Sequence, residues 1–273
     1  MMSEIERSKL PPGIRGGLWM VASAAVFTIM TTLIREAASD IHPFEIAFFR
    51  ALTNLLLMIP YIIRTRGAGL RTKNHKVYAL RGFFAFTFLT TYFPGAALIP
   101  VDQSQALIFT SPIWIALLAV LLLGETMKHQ RVLALLAGLA GALIILRPGL
   151  AQVNSGSVLV LAATLANAAS NTIMKFTTRT DHPDTVVLYL MICVTPLISV
   201  PALFVWSWPT LHQLLLIIGV GVFATLHQRF LSRAFAAADA TSILPFDFAR
   251  LPFAAIIGFL VFSDLPDLWV WVG

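Results

Sequence analysis

TLIREAASDIHP, residues 32–43, opens with Thr32-Leu33-Ile34-Arg35 and closes with His42-Pro43, and both ends recur in TIMKFTTRTDHP, residues 172–183. The two stretches lie 140 residues apart. Further matches keep this offset, the last of them after a single deletion: Ala96-Ala97 with Ala236-Ala237, Pro112 with Pro252, and Gly124-Glu125 with Ser263-Asp264. A constant offset over such a length predicts that the chain contains two copies of one structural unit.

The composition indicates that this unit lies in a membrane. Of the 273 residues, 58% are hydrophobic and 12% are charged, whereas roughly a quarter of an ordinary soluble domain is charged. The mean hydropathy is +0.83. A soluble protein of this size exposes too much surface to hide so many apolar side chains, so they must face lipid. The composition therefore excludes a soluble enzyme carried by a single membrane anchor.

Nine apolar runs have about the length that a helix needs to cross a bilayer, roughly 20 residues. They are apolar on all sides, whereas the strands of a membrane barrel alternate, so the runs predict helices. A tenth run begins at Leu268 and stops at Gly273, which is too short to cross, and we expect the chain to be incomplete there. The nine runs are 16–35, 43–63, 77–98, 102–123, 131–146, 156–175, 185–206, 214–237 and 240–262.

The basic residues predict the orientation, because Lys and Arg accumulate on the cytoplasmic side of membrane proteins. With the N-terminus inside, the outer side keeps only Arg35 and Arg147. We therefore expect a multi-pass protein of the cell inner membrane and no nucleic-acid partner, although the net charge is +6. The cytoplasmic side receives Arg7, Lys9, Arg15, Arg64, Arg66, Arg71, Lys73, Lys76, Arg81, Lys128, Arg131, Lys175, Arg179, Arg229 and Arg233.

The repeat and the number of runs together predict an inverted architecture. Five helices in each half is an odd number, so the second half starts on the opposite side of the membrane. Two such halves are related by a two-fold axis in the membrane plane, as in secondary transporters that alternate access to a midplane site. We predict units at 16–147 and 156–273. A duplicated scaffold that transports nothing is the alternative.

Four short segments resemble signature positions of the EamA branch of the drug/metabolite transporter superfamily, and Pro252 and Asp264 fit as well. The resemblance extends over residues 16–273. The segments are His42-Pro-Phe-Glu-Ile-Ala-Phe-Phe-Arg50, Ser111-Pro112, Leu123-Gly124-Glu125 and Arg147-Pro148-Gly149.

This resemblance implies an all-α membrane bundle of ten helices, formed by two inverted five-helix repeats with both termini in the cytoplasm. It also implies a central cavity lined mainly by helices 1, 3, 4, 6, 8 and 9. Two features depart from the family pattern: Asp264 stands where Glu is commoner, and the tenth helix is truncated. The segment around Arg50 is also similar to carriers of S-adenosylmethionine and related metabolites.

Charged residues at membrane depth are the first candidates for a substrate site, because each is unfavourable in lipid. Arg50 lies a third of the way into the second run and either binds an anionic substrate group or locks helices together. Asp247 and Arg250 in the ninth run are three residues apart and share a helix face. They either bind a zwitterion, exchange a coupling proton at Asp247, or merely neutralise each other. Pro245 and Pro252 flank this pair.

The eighth and sixth runs add further candidates. Arg229 either lines the inner half of a cavity or extends to the cytoplasmic interface, and His227 either senses pH or packs. Asn167, Asn171 and Lys175 recur every four residues and form one polar stripe, which either binds a ligand or joins helices.

Side chains of the third and fourth runs complete the candidate site. Tyr92, Gln105 and Trp114 offer stacking and hydrogen bonds to a substrate, and the two aromatic residues alternatively serve packing. In the fifth run, Ala134 and Gly138 have the small-xxx-small spacing that lets helices approach closely. This spacing serves either internal packing or a homodimer face.

The sequence contains no recognisable catalytic motif, nucleotide-binding loop or metal-ligand cluster, and Cys193 is its one cysteine. We therefore predict no enzyme activity, no cofactor and no metal, and transport driven by a gradient or by exchange. The predicted function is a secondary active transporter of a small polar metabolite, anionic or zwitterionic, with S-adenosylmethionine-like and amino-acid-like substrates as examples. A membrane-embedded enzyme and a non-transporting scaffold are the alternatives.

Overall fold

The computed structural model describes residues 10–38, 40–146 and 154–262, and this part of the chain is a strand-free helical bundle. Two short 3-10 helices, Ala68–Leu70 and Leu244–Ala249, accompany twelve α-helices. These are α1 (Pro12–Ala37), α2 (Pro43–Leu57), α3 (Ile59–Arg64), α4 (His75–Ala97), α5 (Val101–Ile108), α6 (Ser111–Leu123), α7 (His129–Leu146), α8 (Ser155–Thr177), α9 (Pro183–Phe204), α10 (Leu211–Ala237), α11 (Ala240–Ile243) and α12 (Arg250–Phe262).

The predicted all-helical membrane bundle is confirmed. Eight helical segments of the described part are long and apolar enough to cross a membrane, with α2–α3, α5–α6 and α11–α12 each counted as one segment. The predicted third run forms α4, which has 23 residues but is not among these eight. Asp264, Arg147 and the predicted tenth helix lie outside the described residues.

Three predicted runs are interrupted rather than continuous, and proline is present at each interruption. α3 has Pro60 in its first turn, α6 has Pro112 there, and the 3-10 helix at the centre of the ninth run has Pro245 there. Proline lacks the backbone N–H that an α-helix requires and its ring clashes with the preceding turn. The sequence predicts one helix per run, and the structure corrects this for the second, fourth and ninth.

The two His-Pro motifs of the sequence repeat have the same local structure. His42 Nδ1 accepts a hydrogen bond from the backbone N–H of Phe44 at 3.2 Å, and His182 Nδ1 accepts one from Asp184 at 3.2 Å. Each histidine thus caps the helix that follows it, α2 or α9, and each helix has proline in its first turn. Proline suits this position because its missing N–H would have no partner there anyway.

Close helix crossings also recur at the repeat offset. A Cβ atom built on Gly82 of α4 would lie 2.5 Å from Cys193 Cβ of α9, and one built on Gly221 of α10 would lie 2.4 Å from Thr53 Cβ of α2. Cys193 and Thr53 are 140 residues apart. Both crossings therefore depend on a residue without a side chain.

Helix pairing follows the same pattern between the halves. The two most extensive pairings are α1 with α10 and α4 with α8, and the repeat offset converts one pairing into the other. In the same way, α2 packs on α10 while α9 packs on α4, and α2 and α9 pack on each other. The helices of the two sequence repeats therefore pack across each other.

Polar contacts join the loops at one end of the bundle. We call this end, which carries residues 65–74, 124–128, 178–182 and 238–239, the basic end. Thr72 Oγ1 donates to Asp181 Oδ2 at 2.6 Å, and Asn74 Nδ2 donates to Thr180 Oγ1 at 2.9 Å. The buried Glu125 carboxylate accepts from the backbone N–H of Ala240, at the start of α11, at 2.9 Å. In the described conformation these loops hold the basic end together.

Candidate functional site

A cavity of about 240 Å³ lies between α1, α2, α9 and α10, well inside the bundle. Arg50 reaches it from a point about 10 Å along α2 from Pro43, at 1.5 Å per residue, so the cavity lies at membrane depth. Its wall combines apolar and polar side chains: Met30, Arg50, Asn54, Met191, Ala224, His227 and Gln228.

Three polar side chains of this cavity have no partner in the described part of the chain. Arg50 makes no hydrogen bond or ion pair there. Asn54 is 1% exposed, and neither its Oδ1 nor the Oε1 of Gln228 has a hydrogen-bond partner. Buried polar groups are nearly always paired, and an unpaired one is unfavourable by about 1–3 kcal/mol. The cavity is therefore chemically incomplete.

His227 is held in place from α1. Its Nδ1 lies 2.8 Å from Ser23 Oγ and 3.1 Å from the backbone oxygen of Ser23, and its ring centroid is 5.0 Å from that of Phe27. A backbone oxygen can only accept, so this geometry favours a proton on Nδ1 of the neutral ring. Nε2 is then the acceptor atom of the ring.

Asp247 and Arg250 form the ion pair that their spacing predicts. Arg250 Nη2 donates to Asp247 Oδ2, and Arg250 Nε donates to the backbone oxygen of Asp247 at 3.2 Å. The guanidinium carbon also lies 4.8 Å from the ring centroid of Phe27 and 5.6 Å from that of Phe109. Phe27 thus contacts both His227 and Arg250, and the pair lies beside the cavity with its charges neutralised internally.

Arg229 is not part of the cavity wall, and neither predicted environment for it is the one observed. Its Nε and Nη2 donate to the two carboxylate oxygens of Asp184 at 2.8 and 3.0 Å. Arg233 Nη2 lies 3.4 Å from the same carboxylate, which is 4% exposed. Two parallel hydrogen bonds make this a strong contact that ties α10 to the start of α9. The repeat offset places no acid partner opposite Arg50.

The polar stripe of α8 joins helices. Asn167 Nδ2 donates to Ser111 Oγ of α6 at 3.2 Å, and Asn171 Nδ2 donates to Asn167 Oδ1 at 3.2 Å. Lys175 Nζ donates to the backbone oxygen of Phe235 at 2.9 Å and thereby caps the end of α10. These contacts correspond to the structural alternative for the stripe, and none of its residues lines the cavity.

The remaining predicted site residues also lie away from the cavity. Tyr92 stacks on Phe88 with a centroid distance of 5.4 Å, and Trp114 Nε1 donates to Thr110 Oγ1 at 3.2 Å. Gln105 is half-buried on α5. Of the ten residues that the sequence suggests, the structure brings Arg50 and His227 to one cavity and places Asp247 and Arg250 beside it.

Sequence reasoning missed two cavity residues and one buried charge. Asn54 lies one helical turn after Arg50, and Gln228 follows His227, so an isolated amide next to a candidate was the available signal. Arg81, predicted at the cytoplasmic side, is instead 1% exposed, and its Nη1 donates to the backbone oxygen of Val186 at 2.7 Å. The predicted small-xxx-small residue Gly138 packs against Phe248 inside the bundle.

Comparison with known proteins identifies the family. A profile described as the EamA-like transporter family matches residues 14–147. The riboflavin transporter of Vibrio cholerae is 32% identical over 266 residues, which cover 95% of this chain and 89% of that protein. The chain belongs to the EamA-like transporter family. The resemblance inferred from the sequence motifs is thereby confirmed.

Other relatives of this EamA-like protein are named for different substrates. The S-adenosylmethionine uptake transporter of Rickettsia prowazekii is 26% identical over 255 residues, covering 93% of this chain and 86% of that protein. The pseudopaline exporter of Pseudomonas aeruginosa is 31% identical over 258 residues, covering 92% and 89%. A solved crystal structure shares the fold, with a TM-score of 0.81 and 14% identity over 94% of this chain and 91% of that chain.

Family and fold together establish the general class. The protein is a multi-pass membrane transporter of small metabolites rather than an enzyme. Its substrates are small molecules and its environment is a lipid bilayer. Arg229 and the stripe of α8 serve packing in the described conformation, whereas the cavity at Arg50 has the position and chemistry of a substrate site.

Proposed function

We propose that this EamA-like protein is a secondary active transporter whose substrate carries an anionic group that binds Arg50. The observation that carries the proposal is a guanidinium that lines a cavity at membrane depth without an ion-pair partner in the described part of the chain. A central arginine is unfavourable in a membrane by about 2.5–3.5 kcal/mol on insertion scales. A charge that is retained without a protein partner is best explained by a partner that arrives with the substrate.

The shape of the guanidinium selects the chemistry of that partner. Arginine presents a planar set of N–H donors that matches the two oxygens of a carboxylate. Arg250 and Arg229 already bind Asp247 and Asp184, so neither is available to a substrate unless its own ion pair opens. We therefore assign the anion to Arg50 and propose that His227, Asp247 and Arg250 form the neighbouring polar wall.

Alternating access between two inverted repeats is the proposed mechanism. The repeated His-Pro caps, the paired glycine crossings and the crosswise helix packing support units at 16–147 and 156–273. With a tenth helix beyond the described residues, each unit has five spans and the second is inverted. The basic loops support an inner-membrane orientation with a cytoplasmic N-terminus.

The size of the cavity supports a mechanism with an opening step. Its volume of about 240 Å³ is below the usual range for small-molecule sites, about 300–1,000 Å³. The polar contacts of the basic end close the bundle on that side. A metabolite therefore enters only after the halves move relative to each other, and the described conformation corresponds to a closed one.

The names of the relatives suggest which metabolites to test first. They are named for transport of riboflavin, S-adenosylmethionine and pseudopaline, which are different chemical classes. S-adenosylmethionine carries a carboxylate that fits Arg50, whereas riboflavin is uncharged. We propose an anionic or zwitterionic metabolite, with S-adenosylmethionine-like and amino-acid-like molecules ahead of flavins.

Uptake into proteoliposomes tests the proposal. Radiolabelled S-adenosylmethionine, riboflavin and a mixture of amino acids are supplied to the purified protein, and saturable uptake of at least one carboxylate-bearing probe is expected. Arg50→Met is expected to reduce this uptake about 10- to 100-fold, because hydrogen bonds to a charged group contribute roughly 1.5–3 kcal/mol. Arg64→Met, an exposed arginine of the same predicted run, is the matched control.

Two results would contradict the proposal in different ways. Full uptake by Arg50→Met would remove Arg50 from the site while leaving the carrier function intact. No saturable flux of any probe, with protein that inserts and unfolds cooperatively, would favour the non-transporting scaffold.

A further inference from the structure

We propose that Asn54 and Gln228 determine substrate specificity by accepting hydrogen bonds from an N–H group that the substrate carries next to its anionic group. This inference rests on the proposed carrier function and on the cavity at Arg50. It assigns the acceptor half of that cavity to two residues that sequence reasoning did not single out.

The geometry places the two amides together with Arg50. Asn54 follows Arg50 by four residues on α2, so both side chains extend from the same face of that helix. Gln228 belongs to α10, on the other side of the cavity, next to His227. Asn54 Oδ1 and Gln228 Oε1 are both buried without a donor in the described part of the chain.

The cavity itself offers these oxygens no donor. Met30, Met191 and Ala224 supply only apolar groups, and the Nδ1 position of His227 is engaged by Ser23. Arg50 lies in the same wall but makes no hydrogen bond to either amide. A bound molecule therefore has to satisfy three groups at once: a cation that needs an anion, and two oxygens that need N–H or O–H donors.

An amino-carboxylate meets this requirement with adjacent groups. Its carboxylate accepts from the Arg50 guanidinium, and its ammonium donates to the amide oxygens from the neighbouring carbon. A neutral imide also presents acceptors beside an N–H, but it leaves the guanidinium without a counter-charge, which is unfavourable in a low-dielectric site. Ordered water would satisfy the amides without any selectivity, and the experiment separates that outcome.

Matched pairs of probes test the assignment. The amino-carboxylates are L-methionine, L-phenylalanine and S-adenosyl-L-homocysteine, and the first two have desamino partners, 4-(methylthio)butanoate and 3-phenylpropanoate. Thermal stabilisation and uptake are measured for each. We expect the wild-type protein to prefer at least one amino acid over its desamino partner by tenfold or more. Asn54→Leu and Gln228→Met are expected to lose this preference while still binding the desamino acid through Arg50.

The melting temperature of the variants gives a readout that does not depend on the probe. Removing an unpaired buried polar group relieves a penalty, so Asn54→Leu and Gln228→Met should melt at or above the wild-type temperature. Gln130→Met, which changes an exposed amide on α7, is the control and should match the wild-type protein in both measurements.

The possible outcomes are distinguishable. A lower melting temperature for both amide variants, with substrate preference unchanged, would assign the amides to structure and overturn the inference. Wild-type protein that responds to none of the amino-carboxylates, or equally to both members of each pair, would also overturn it. Because uptake that requires Arg50 is measured separately, these failures leave the proposed carrier function standing.

Discussion

At the scale of the residue, three arginines at membrane depth show how a partner determines a role. Arg229 binds the buried Asp184 with two hydrogen bonds, and Arg250 binds Asp247 three residues earlier. Arg50 has no such partner in the described part of the chain and lines a cavity instead. The three side chains are chemically identical, so only the position of a carboxylate separates a structural ion pair from a candidate anion site.

A pH effect on stability is expected at His182, which lies just before α9. Burial lowers the pKa of His182 from its ordinary value of 6.5, Asp184 opposes this, and Arg233 and Arg229 reinforce it. The neutral ring accepts the capping hydrogen bond from Asp184, so this contribution to stability is present above pH 6.5 and is lost as the pH falls through the lowered pKa.

The melting temperature of the protein should therefore fall between about pH 7.5 and about pH 5.5. His182→Asn retains a side-chain cap that does not titrate, so its melting temperature should fall less over the same range. An equal fall in both proteins would exclude His182 as the source of the pH dependence.

At the scale of the element, proline and glycine decide features that hydropathy does not show. Pro60, Pro112 and Pro245 begin new helical segments within predicted runs. Gly82 and Gly221 allow α4 and α10 to approach α9 and α2 more closely than any other residue would permit. The same two crossings in both halves indicate that close packing between the repeats is part of the architecture.

The crossing at Gly82 is open to a direct test. In Gly82→Ala the new Cβ would lie 2.5 Å from Cys193 Cβ, and overpacking of this kind typically destabilises by about 1–3 kcal/mol. Gly258→Ala on α12 meets no atom within 4 Å, and alanine is the better helix former by about 1 kcal/mol, so this control should be neutral or stabilising. Thermal unfolding in detergent measures both, and equal melting temperatures for the two variants would show that the crossing tolerates a side chain.

At the scale of the whole molecule, the two halves meet in a crosswise arrangement around α2 and α9. The cavity at Arg50 lies among helices of both halves, and the basic end is closed by contacts between their loops. A site shared between two bodies changes whenever they move relative to each other. This is the geometry that a carrier needs, and it also makes the loop contacts part of the transport cycle.

A disulfide across the basic end should arrest the proposed cycle. Asn74 Nδ2 and Thr180 Oγ1 are 2.9 Å apart, so cysteines introduced at both positions in a Cys193→Ala background should cross-link on oxidation. Saturable uptake is expected to stop on oxidation and to return after reduction. The two single-cysteine variants serve as controls and should be insensitive to oxidant. Undiminished uptake by the fully cross-linked protein would mean that this end need not open.

The sequence predicted the membrane segments well and the site only in part. All nine complete runs form helices, since about 20 apolar residues in lipid have no other way to satisfy their backbone. The interruptions were missed because proline is tolerated inside α9 at Pro196 and Pro201 but not at Pro245. Arg50 was left between two roles, and Asn54 and Gln228 were overlooked, because an amide in an apolar run gives no sign of whether it has a partner.

The sequence by itself determined that the chain is a helical membrane protein, that its two halves are related, and that it resembles the EamA family. These properties follow from local composition and from an offset along the chain. Only the tertiary structure decided which polar residues are paired, because an ion pair such as Arg229 with Asp184 joins residues from different helices. The candidate site is the remainder of that pairing, so it becomes visible only when every helix has been placed.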